Sequence, residues 1–152
     1  MKTLLITEER ASAYFYPPRV FERFWWPYTK QIVDAFWSEG IVTILHVDQY
    51  WDKNIRYFRE LPRGSFVLEL DSTTDIFAAK DVLRGHACFH GDVPAALLSV
   101  GQPDEVSDYC RRLISRVGDD SGFILGSGCS VPVDVKPENL RAMIETGKNT
   151  KA

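Results

Sequence analysis

Long apolar runs and clusters of basic residues are both missing from this 152-residue sequence. A helix that spans a bilayer needs about 20 consecutive apolar residues, and no stretch of this chain approaches that length. Nucleic-acid-binding proteins concentrate Lys and Arg on one surface, whereas this chain has 18 basic and 21 acidic residues and a net charge of −3. The composition therefore argues against a membrane protein and against nucleic acid as the main partner.

Cysteine is also scarce, with only Cys88, Cys110 and Cys129 present. An odd count does not fit a disulfide framework within one chain. The amino terminus, MKTLLITEERAS, has one lysine and a very short apolar stretch before its charged residues, so it is a poor secretory signal. Reduced thiols are the rule in the cytoplasm, and we therefore predict a cytoplasmic protein.

Strand-like and helix-like segments alternate along the chain. Apolar and β-branched residues predict four strands, at residues 41–48, 65–71, 86–93 and 122–129. A helical pattern follows each of them, and such alternation favours a parallel sheet. We therefore predict an α/β fold with one domain at residues 1–146, in which four β/α units follow an N-terminal helix, and a flexible tail at 147–152.

The N-terminal helix is predicted from residues 17–40. Its apolar residues recur at the spacing of one helix face; they are Phe21, Phe24, Trp25, Tyr28, Ile32, Ala35 and Phe36. Pro27 should kink the helix or divide it in two, because proline removes a hydrogen bond inside a helix. We expect this aromatic face to pack in the core rather than to bind a ligand.

A pair of polar residues, at positions i and i+2, lies at the end of each predicted strand. The pairs are His46 and Asp48, Glu69 and Asp71, His90 and Asp92, and Ser127 and Cys129. Side chains alternate along a strand, so both members of a pair are expected to point the same way. Parallel α/β folds place their chemistry at the carboxyl ends of the strands. The four pairs therefore predict one functional site.

The residue types at these strand ends suit a metal. Imidazole, thiolate and carboxylate are the zinc ligands of catalytic sites, and spare carboxylates can orient the imidazoles. Each residue also has a structural interpretation: a lone histidine is often hydrogen-bonded, Cys129 could be a small buried residue, and Asp71 and Asp92 could cap turns. Their occurrence at successive strand ends favours a site that includes at least His46 and Cys129. Cys88 and Cys110 are interpreted as packing residues.

Four segments resemble the carboxyl-terminal half of the uroporphyrinogen decarboxylase superfamily, whose members fold as (β/α)8 barrels. They are YPPRVFERFWWPYTKQIVDAF, ILHVD, HGDVPAALLSVGQPDEVSDYCRRLI and GFILGSGCSVPVDVKPENLRAMIE. The last is the most specific, with a glycine-rich strand end followed by a proline and then Pro-Glu-Asn at the start of the final helix. The resemblance implies half of a TIM-type barrel.

The resemblance also bears on the site, because the branches of the superfamily differ there. Decarboxylases carry a histidine between two glycines where this chain has Ser127. Cobamide-dependent methyltransferases bind zinc through a His-x-Cys pair and a distant cysteine, and the matching residues here are His46, Asp48 and Cys129. O-demethylase relatives use a glutamate and a histidine, which Glu69 and His90 could supply. The resemblance leaves these two ligand sets open.

On this resemblance we expect a zinc-dependent methyltransferase that moves a methyl group between a corrinoid carried by a partner protein and a small-molecule acceptor or methyl ether donor. Asp71 and Asp92 are expected to have catalytic roles, and Asp75 and Ser127 to contact the cofactor. The alternatives are a metal-free decarboxylase and a non-catalytic half-barrel subunit or remnant. A half-barrel leaves two open sheet edges, so we expect a homodimer or association with a missing amino-terminal half.

Overall fold

A computed structural model describes residues 2–119 and 122–151, and five parallel strands form its single sheet. The strands are β1 (Lys2–Thr7), β2 (Ile41–Val47), β3 (Phe66–Leu70), β4 (Cys88–Val93) and β5 (Phe123–Ser127). They lie side by side in chain order, and every neighbouring pair is parallel. The predicted parallel α/β arrangement is confirmed.

Six helices accompany the strands within the described residues. They are α1 (Pro18–Phe24), α2 (Trp26–Ser38), α3 (Ile76–Leu83), α4 (Ala95–Val100), α5 (Pro103–Val117) and α6 (Pro137–Asn149), with two 3-10 helices at Glu9–Ala11 and Ile55–Glu60. None of these helices is long and apolar enough to cross a membrane. The helix α6 extends to Asn149, so residues 147–149 of the predicted tail are helical, and Ala152 lies outside the described residues.

The strand β1 was missing from the prediction, which had the chain begin with a helix and counted four strands. Its six residues, KTLLIT, pair with β2 from Lys2 opposite Ile41 to Thr7 opposite His46. The segment has three apolar residues in a row without a regular alternation, and none of its described residues is fully buried. Because the local pattern is weak, pairing with β2 decides that this segment is a strand.

Pro27 divides the predicted N-terminal helix in two, as expected. The helix α1 ends at Phe24, and α2 begins at Trp26 with Pro27 in its first turn. Trp25 lies between them with φ −125° and ψ −59°, which is not a helical conformation. A single helical periodicity therefore does not continue across the two helices.

The predicted apolar face of this helix is wrong for most of its length. Phe24, Tyr28 and Ile32 are exposed, whereas the buried residues of α2 are Trp26, Thr29 and Val33. Counting a single helix face through Trp25 assigned the wrong side of α2 to the core. Phe24, Tyr28 and Ile32 are therefore surface residues rather than part of the core.

The two faces of the sheet have different environments. One face carries the matched residues Leu45, Leu68 and Phe89, which have no solvent exposure and belong to the main hydrophobic core. We call the other one the open face; it carries Leu5, Ile44, His46, Glu69, His90 and Ile124. On this face the side chains of Leu5 and Ile124, in the two edge strands, are 58% and 48% exposed.

Candidate functional site

The carboxyl end of β2 places a histidine and an aspartate side by side. His46 is on the open face, and its Nε2 lies 3.1 Å from Oδ1 of Asp48. The two side chains are only 14% and 20% exposed, although the sheet face beside them is open. As predicted from the alternation of side chains, both members of this pair point to the same place.

A loop after β5 brings Cys129 to the same place. One ligand atom from each of His46, Asp48 and Cys129 lies within 4.8 Å of the other two. Within residues 2–119 and 122–151, this is the one group of three His, Cys, Asp or Glu side chains with such spacing. Cys129 is exposed, whereas the other two are partly buried, so the group is accessible from the cysteine side.

Glu69 lies between two imidazoles on the open face. The register of the sheet places His46, Glu69 and His90 in one row across β2, β3 and β4. Oε2 of Glu69 is 3.4 Å from Nδ1 of His46, and Oε1 is 3.3 Å from Nδ1 of His90. Glu69 therefore contacts His46 on the side of the ring opposite to Asp48.

The three-residue group fits a metal ion by its chemistry. Nitrogen, carboxylate oxygen and sulfur are the donor atoms that zinc takes in proteins. Asp48 Oδ1 is buried, and within the described residues its near neighbour is Nε2 of His46, at 3.1 Å. Burial is the main cause that raises the pKa of Asp48, Asp71 raises it further, and His46 lowers it. A cation at this point would compensate the buried carboxylate.

Asp71, predicted to be catalytic, binds the backbone of two turns. Its carboxylate accepts hydrogen bonds from the backbone N–H of Gln49 at 2.8 Å and of Thr73 at 2.9 Å. It also accepts the hydroxyl hydrogen of Thr73, at 3.0 Å. These contacts correspond to the turn-capping interpretation of Asp71.

Asp75, predicted to contact a cofactor, begins the helix α3. Its Oδ1 accepts hydrogen bonds from the N–H groups of Phe77 at 2.9 Å and Ala78 at 3.2 Å. This is the arrangement of a helix N-cap, which satisfies N–H groups that the first turn leaves without a partner. The same carboxylate oxygen therefore already has two protein donors.

Asp92, the other predicted catalytic residue, points away from the histidine of its pair. It is 2% exposed and accepts a hydrogen bond from the hydroxyl of Tyr109 in α5, at 2.8 Å. The expectation that His90 and Asp92 point the same way is wrong, because Gly91 between them has φ +122°, which interrupts the alternation. A cavity of about 290 Å³ adjoins Asp92, with Tyr109 and Arg112 in its wall.

The environment of Asp92 changes its acidity. Burial is the main cause that raises its pKa to about 7, while the hydrogen bond from Tyr109 lowers it. The pKa of Tyr109 is also raised, by burial first and then by the charge of Asp92. The buried Asp92 and the partly buried Tyr109 therefore form a hydrogen-bonded pair, neither of which belongs to the three-residue group.

Ser127, predicted to contact a cofactor, binds its own loop. Its hydroxyl donates a hydrogen bond to the backbone carbonyl of Cys129, at 2.5 Å. In the same loop the N–H of Gly128 donates to the carbonyl of Val93, at 2.9 Å. The loop that carries Cys129 is thus held at both the serine and the glycine.

Two glycines of this loop were missed as site residues. A Cβ on Gly126 would lie 2.4 Å from Nε2 of His90, and one on Gly128 would lie 2.8 Å from the backbone carbon of Asp71. The sequence signal was the Gly-Ser-Gly at residues 126–128, but glycine alone does not reveal which group approaches it. Gly128 lies against backbone atoms and therefore requires the absence of a side chain, whereas a side chain at Gly126 would require the His90 ring to move.

The other two cysteines lie apart from the group. Cys110 is fully buried in α5, and burial raises its pKa to about 11. Cys88 is half-buried at the start of β4, and burial raises its pKa too. These environments disfavour the thiolate that metal binding needs, in line with the packing role predicted for both.

Comparison with curated proteins gives two kinds of relative. The chain is 26% identical over 150 residues to the methylcobamide:CoM methyltransferase MtbA of Methanosarcina acetivorans, an alignment that covers 98% of the chain and 42% of that relative. It is 35% identical over 83 residues to the uroporphyrinogen decarboxylase of Methylococcus capsulatus, which covers 54% of the chain and 23% of the relative. The chain therefore spans less than half the length of either protein.

The fold has a match among solved structures. A methyltransferase from Methanosarcina mazei superposes with a TM-score of 0.78 at 17% identity, over 97% of this chain and 42% of that one. The parallel sheet and its helices thus form the expected portion of a TIM-type barrel. The family model for uroporphyrinogen decarboxylase (URO-D) matches residues 2–150. The chain belongs to the uroporphyrinogen decarboxylase family.

Proposed function

We propose that this chain is the metal-binding portion of a zinc-dependent methyltransferase, which moves a methyl group between a corrinoid protein and a small-molecule acceptor or methyl ether donor. The observation that carries the proposal is the convergence of His46, Asp48 and Cys129 within 4.8 Å. The similarity to a methylcobamide:CoM methyltransferase over 98% of the chain supports the corrinoid partner and the methyl transfer. We keep the predicted cytoplasmic location as part of this proposal.

The proposed ligands are Nε2 of His46, Oδ1 of Asp48 and Sγ of Cys129. Zinc at such a site supplies Lewis acidity, which lowers the pKa of a bound thiol or polarises a bound oxygen. Three protein ligands leave a fourth position for the substrate, and the exposed Cys129 side of the group provides access to it. An aspartate in place of a thiolate makes the metal less electron-rich, which favours Lewis acidity.

Glu69 and His90 have supporting roles in this proposal. The contact between Glu69 and Nδ1 of His46 keeps the proton on that nitrogen and leaves Nε2 free as a ligand, as carboxylates do beside metal-bound histidines. His90 contacts the second oxygen of Glu69 and so limits its rotation. The alternative ligand set of Glu69 and His90 remains an outcome of the test below.

Zinc content per chain tests the ligand set. We expect about one zinc per chain in the wild type and none in Cys129→Ala or His46→Ala, because three ligands from one chain are needed. The matched control is Cys88→Ala, which removes a thiol from the same sheet and should leave zinc unchanged. Zinc that persists in Cys129→Ala and disappears in Glu69→Ala would assign the alternative set. A wild type without zinc would contradict the proposal.

A metal-free decarboxylase is the second candidate, and the 35% identity to a uroporphyrinogen decarboxylase favours it. Against it, the position expected to hold a histidine is Ser127, whose hydroxyl binds the carbonyl of Cys129. Release of CO2 from a porphyrinogen by zinc-free protein would support this candidate. A well-folded protein with neither zinc nor activity would support the non-catalytic half-barrel.

We also propose that a further stretch of polypeptide, outside this sequence, completes the sheet. Within the described residues, β1 and β5 each pair on one side only, and a TIM-type barrel closes with eight strands. Two copies of this chain would bring ten strands together, so three strands from elsewhere fit better than the predicted homodimer. The length of the relatives outside the matched region supports such a partner segment.

A further inference from the structure

We propose that Asp71 is a positioning residue that holds Asp48 and Cys129 at the distance at which both can bind one metal ion, and that Gly128 makes this possible. The inference rests on the proposed function, since it takes His46, Asp48 and Cys129 as the ligands. Asp48 follows β2 and Cys129 follows β5, and two strands lie between these in the sheet. Neighbouring strands alone therefore do not bring them together.

On the β2 side, Asp71 fixes the turn that carries Asp48. Its Oδ2 accepts the N–H of Gln49, the residue after Asp48, at 2.8 Å. Gln49 has φ +71°, an uncommon conformation for a residue other than glycine, which surrounding contacts must maintain. The buried Thr74 provides another contact, because its hydroxyl donates to the carbonyl of Gln49 at 2.9 Å. The loop 71–74 therefore holds Gln49 at both its N–H and its carbonyl.

On the β5 side, the backbone of Asp71 is the surface on which Gly128 lies. A Cβ on Gly128 would be 2.8 Å from the carbonyl carbon and 3.0 Å from the carbonyl oxygen of Asp71. Backbone atoms cannot move aside as a flexible side chain can, so an alanine here must shift the loop. The hydrogen bond from Gly128 N–H to the carbonyl of Val93 fixes the other side of the glycine. Cys129 is the next residue, and its position follows from this contact.

Asp71 thus contacts both the turn that carries Asp48 and the loop that carries Cys129, without being one of the proposed ligands. Its carboxylate accepts three hydrogen bonds from Gln49 and Thr73, and its backbone lies against Gly128. Removing either contact should change the distance between Asp48 and Cys129 while leaving all three ligands in place. This explains chemically why a carboxylate follows β3 although it is not a member of the three-residue group.

The test uses Co²⁺ in place of zinc, because bonding between cobalt and a thiolate is visible in the near-ultraviolet spectrum. We expect Gly128→Ala and Asp71→Ala to weaken Co²⁺ binding about 10- to 100-fold, the usual effect of losing support for a ligand. The thiolate-to-cobalt absorption should fall more than the d–d bands, because Cys129 is displaced first in Gly128→Ala. The control is Thr73→Val, which removes one hydrogen bond to the same carboxylate and leaves Gln49 held.

A metal-free readout separates this inference from the proposed function. In an Asp48→Cys background we expect oxidation to form a disulfide with Cys129, and adding Gly128→Ala should slow it about tenfold or more. If the wild type binds no metal but the disulfide result holds, the proposed function fails and the positioning role survives. If Gly128→Ala and Asp71→Ala bind Co²⁺ as the wild type does, with the same thiolate band, and neither change slows disulfide formation in the Asp48→Cys background, the inference is wrong.

Discussion

Asp92 is a carboxyl group whose surroundings favour the neutral form. It is almost completely buried. Among the side chains of the described residues, the hydroxyl of Tyr109 donates a hydrogen bond to it. Burial disfavours the charged form, and it is the main reason why the pKa of Asp92 rises to about 7. The residue therefore links protonation to stability near neutral pH.

We predict that Asp92→Asn removes part of the pH dependence of stability. The folded-state pKa of about 7 lies above the roughly 3.9 of an unfolded aspartate, so the folded state binds the proton more tightly. This contribution is complete below about pH 4 and is lost as the pH rises to about 7, by roughly 4 kcal/mol at most. Urea unfolding of both proteins between pH 4 and 8 measures the difference.

The variant Tyr109→Phe serves as the control for this prediction. The hydroxyl of Tyr109 lowers the pKa of Asp92, so its removal should move the loss of stability to higher pH. A constant difference between wild type and Asp92→Asn from pH 4 to 8 would show that Asp92 titrates as an ordinary carboxyl group.

At the residue scale, the sequence predicted the three candidate ligands more accurately than it predicted the residues that hold them in position. The i and i+2 pair His46–Asp48 and the distant Cys129 were predicted together, and the structure places their ligand atoms within 4.8 Å. Asp71 and Asp75 occur at the predicted positions but bind backbone N–H groups. Residue type and spacing do not distinguish a carboxylate that caps a turn from one that faces a substrate.

The break between the helices α1 and α2 changes which residues of α2 face the core. Trp25 interrupts the helical conformation between them, so the residues that face the core differ on the two sides of the break. Val33 has no exposed surface, while its neighbour Ile32 is 41% exposed. These adjacent apolar residues therefore contribute very differently to stability.

We predict that Val33→Ala lowers the free energy of unfolding by roughly 2 kcal/mol, because it leaves a cavity in the core. The matched variant Ile32→Ala should change it by less than about 0.5 kcal/mol, as is usual for exposed positions. Urea denaturation of the two variants and the wild type checks both values. A larger loss for Ile32→Ala than for Val33→Ala would mean that the face predicted from the sequence is the buried one.

The strand β1 also depends on contact with a part of the chain that is distant in the sequence. Its segment was not identified as a strand because KTLLIT lacks alternation, and its hydrogen bonds go to β2 alone. By contrast, β2, β3, β4 and β5 were all predicted within a few residues of their observed bounds. Since β5 is also an edge strand and was predicted, the weak local pattern of KTLLIT, rather than its place at the edge, is why β1 was missed.

At the scale of the whole molecule, any proposal for how the sheet is completed must account for the apolar residues exposed on the open face. The exposed residues Leu5 and Ile124 lie on the two edge strands, on the same side as His46. Exposed apolar side chains on a sheet face are typical of an interaction surface. Three further strands would cover these side chains and pair the two edges.

We predict that Leu5→Lys and Ile124→Lys each weaken binding of a partner segment about tenfold or more, because a charge would be buried at the interface. The partner to test is the part of the Methanosarcina acetivorans relative that lies outside the matched region. Calorimetry with the two purified polypeptides measures the dissociation constant. The control Val133→Lys changes an exposed apolar residue that lies outside the strands, and it should not affect binding.

Two results would contradict this prediction. Binding that is equally strong for wild type and both lysine variants would show that the partner segment does not cover the open face. A stable dimer of this chain by sedimentation, weakened by the same two variants, would support the homodimer predicted from the sequence.

The sequence by itself determined the parallel α/β class, the division of the first helix at Pro27 and a site that includes His46 and Cys129, and the family resemblance added Asp48 as a candidate ligand. These depend on local patterns of apolar residues and on the chemistry of side chains at strand ends. The tertiary structure alone decided that β1 is a strand, that Asp92 faces Tyr109 and that Gly128 lies on Asp71. Each of these depends on contact between distant parts of the chain, and such contacts leave no local pattern in the sequence.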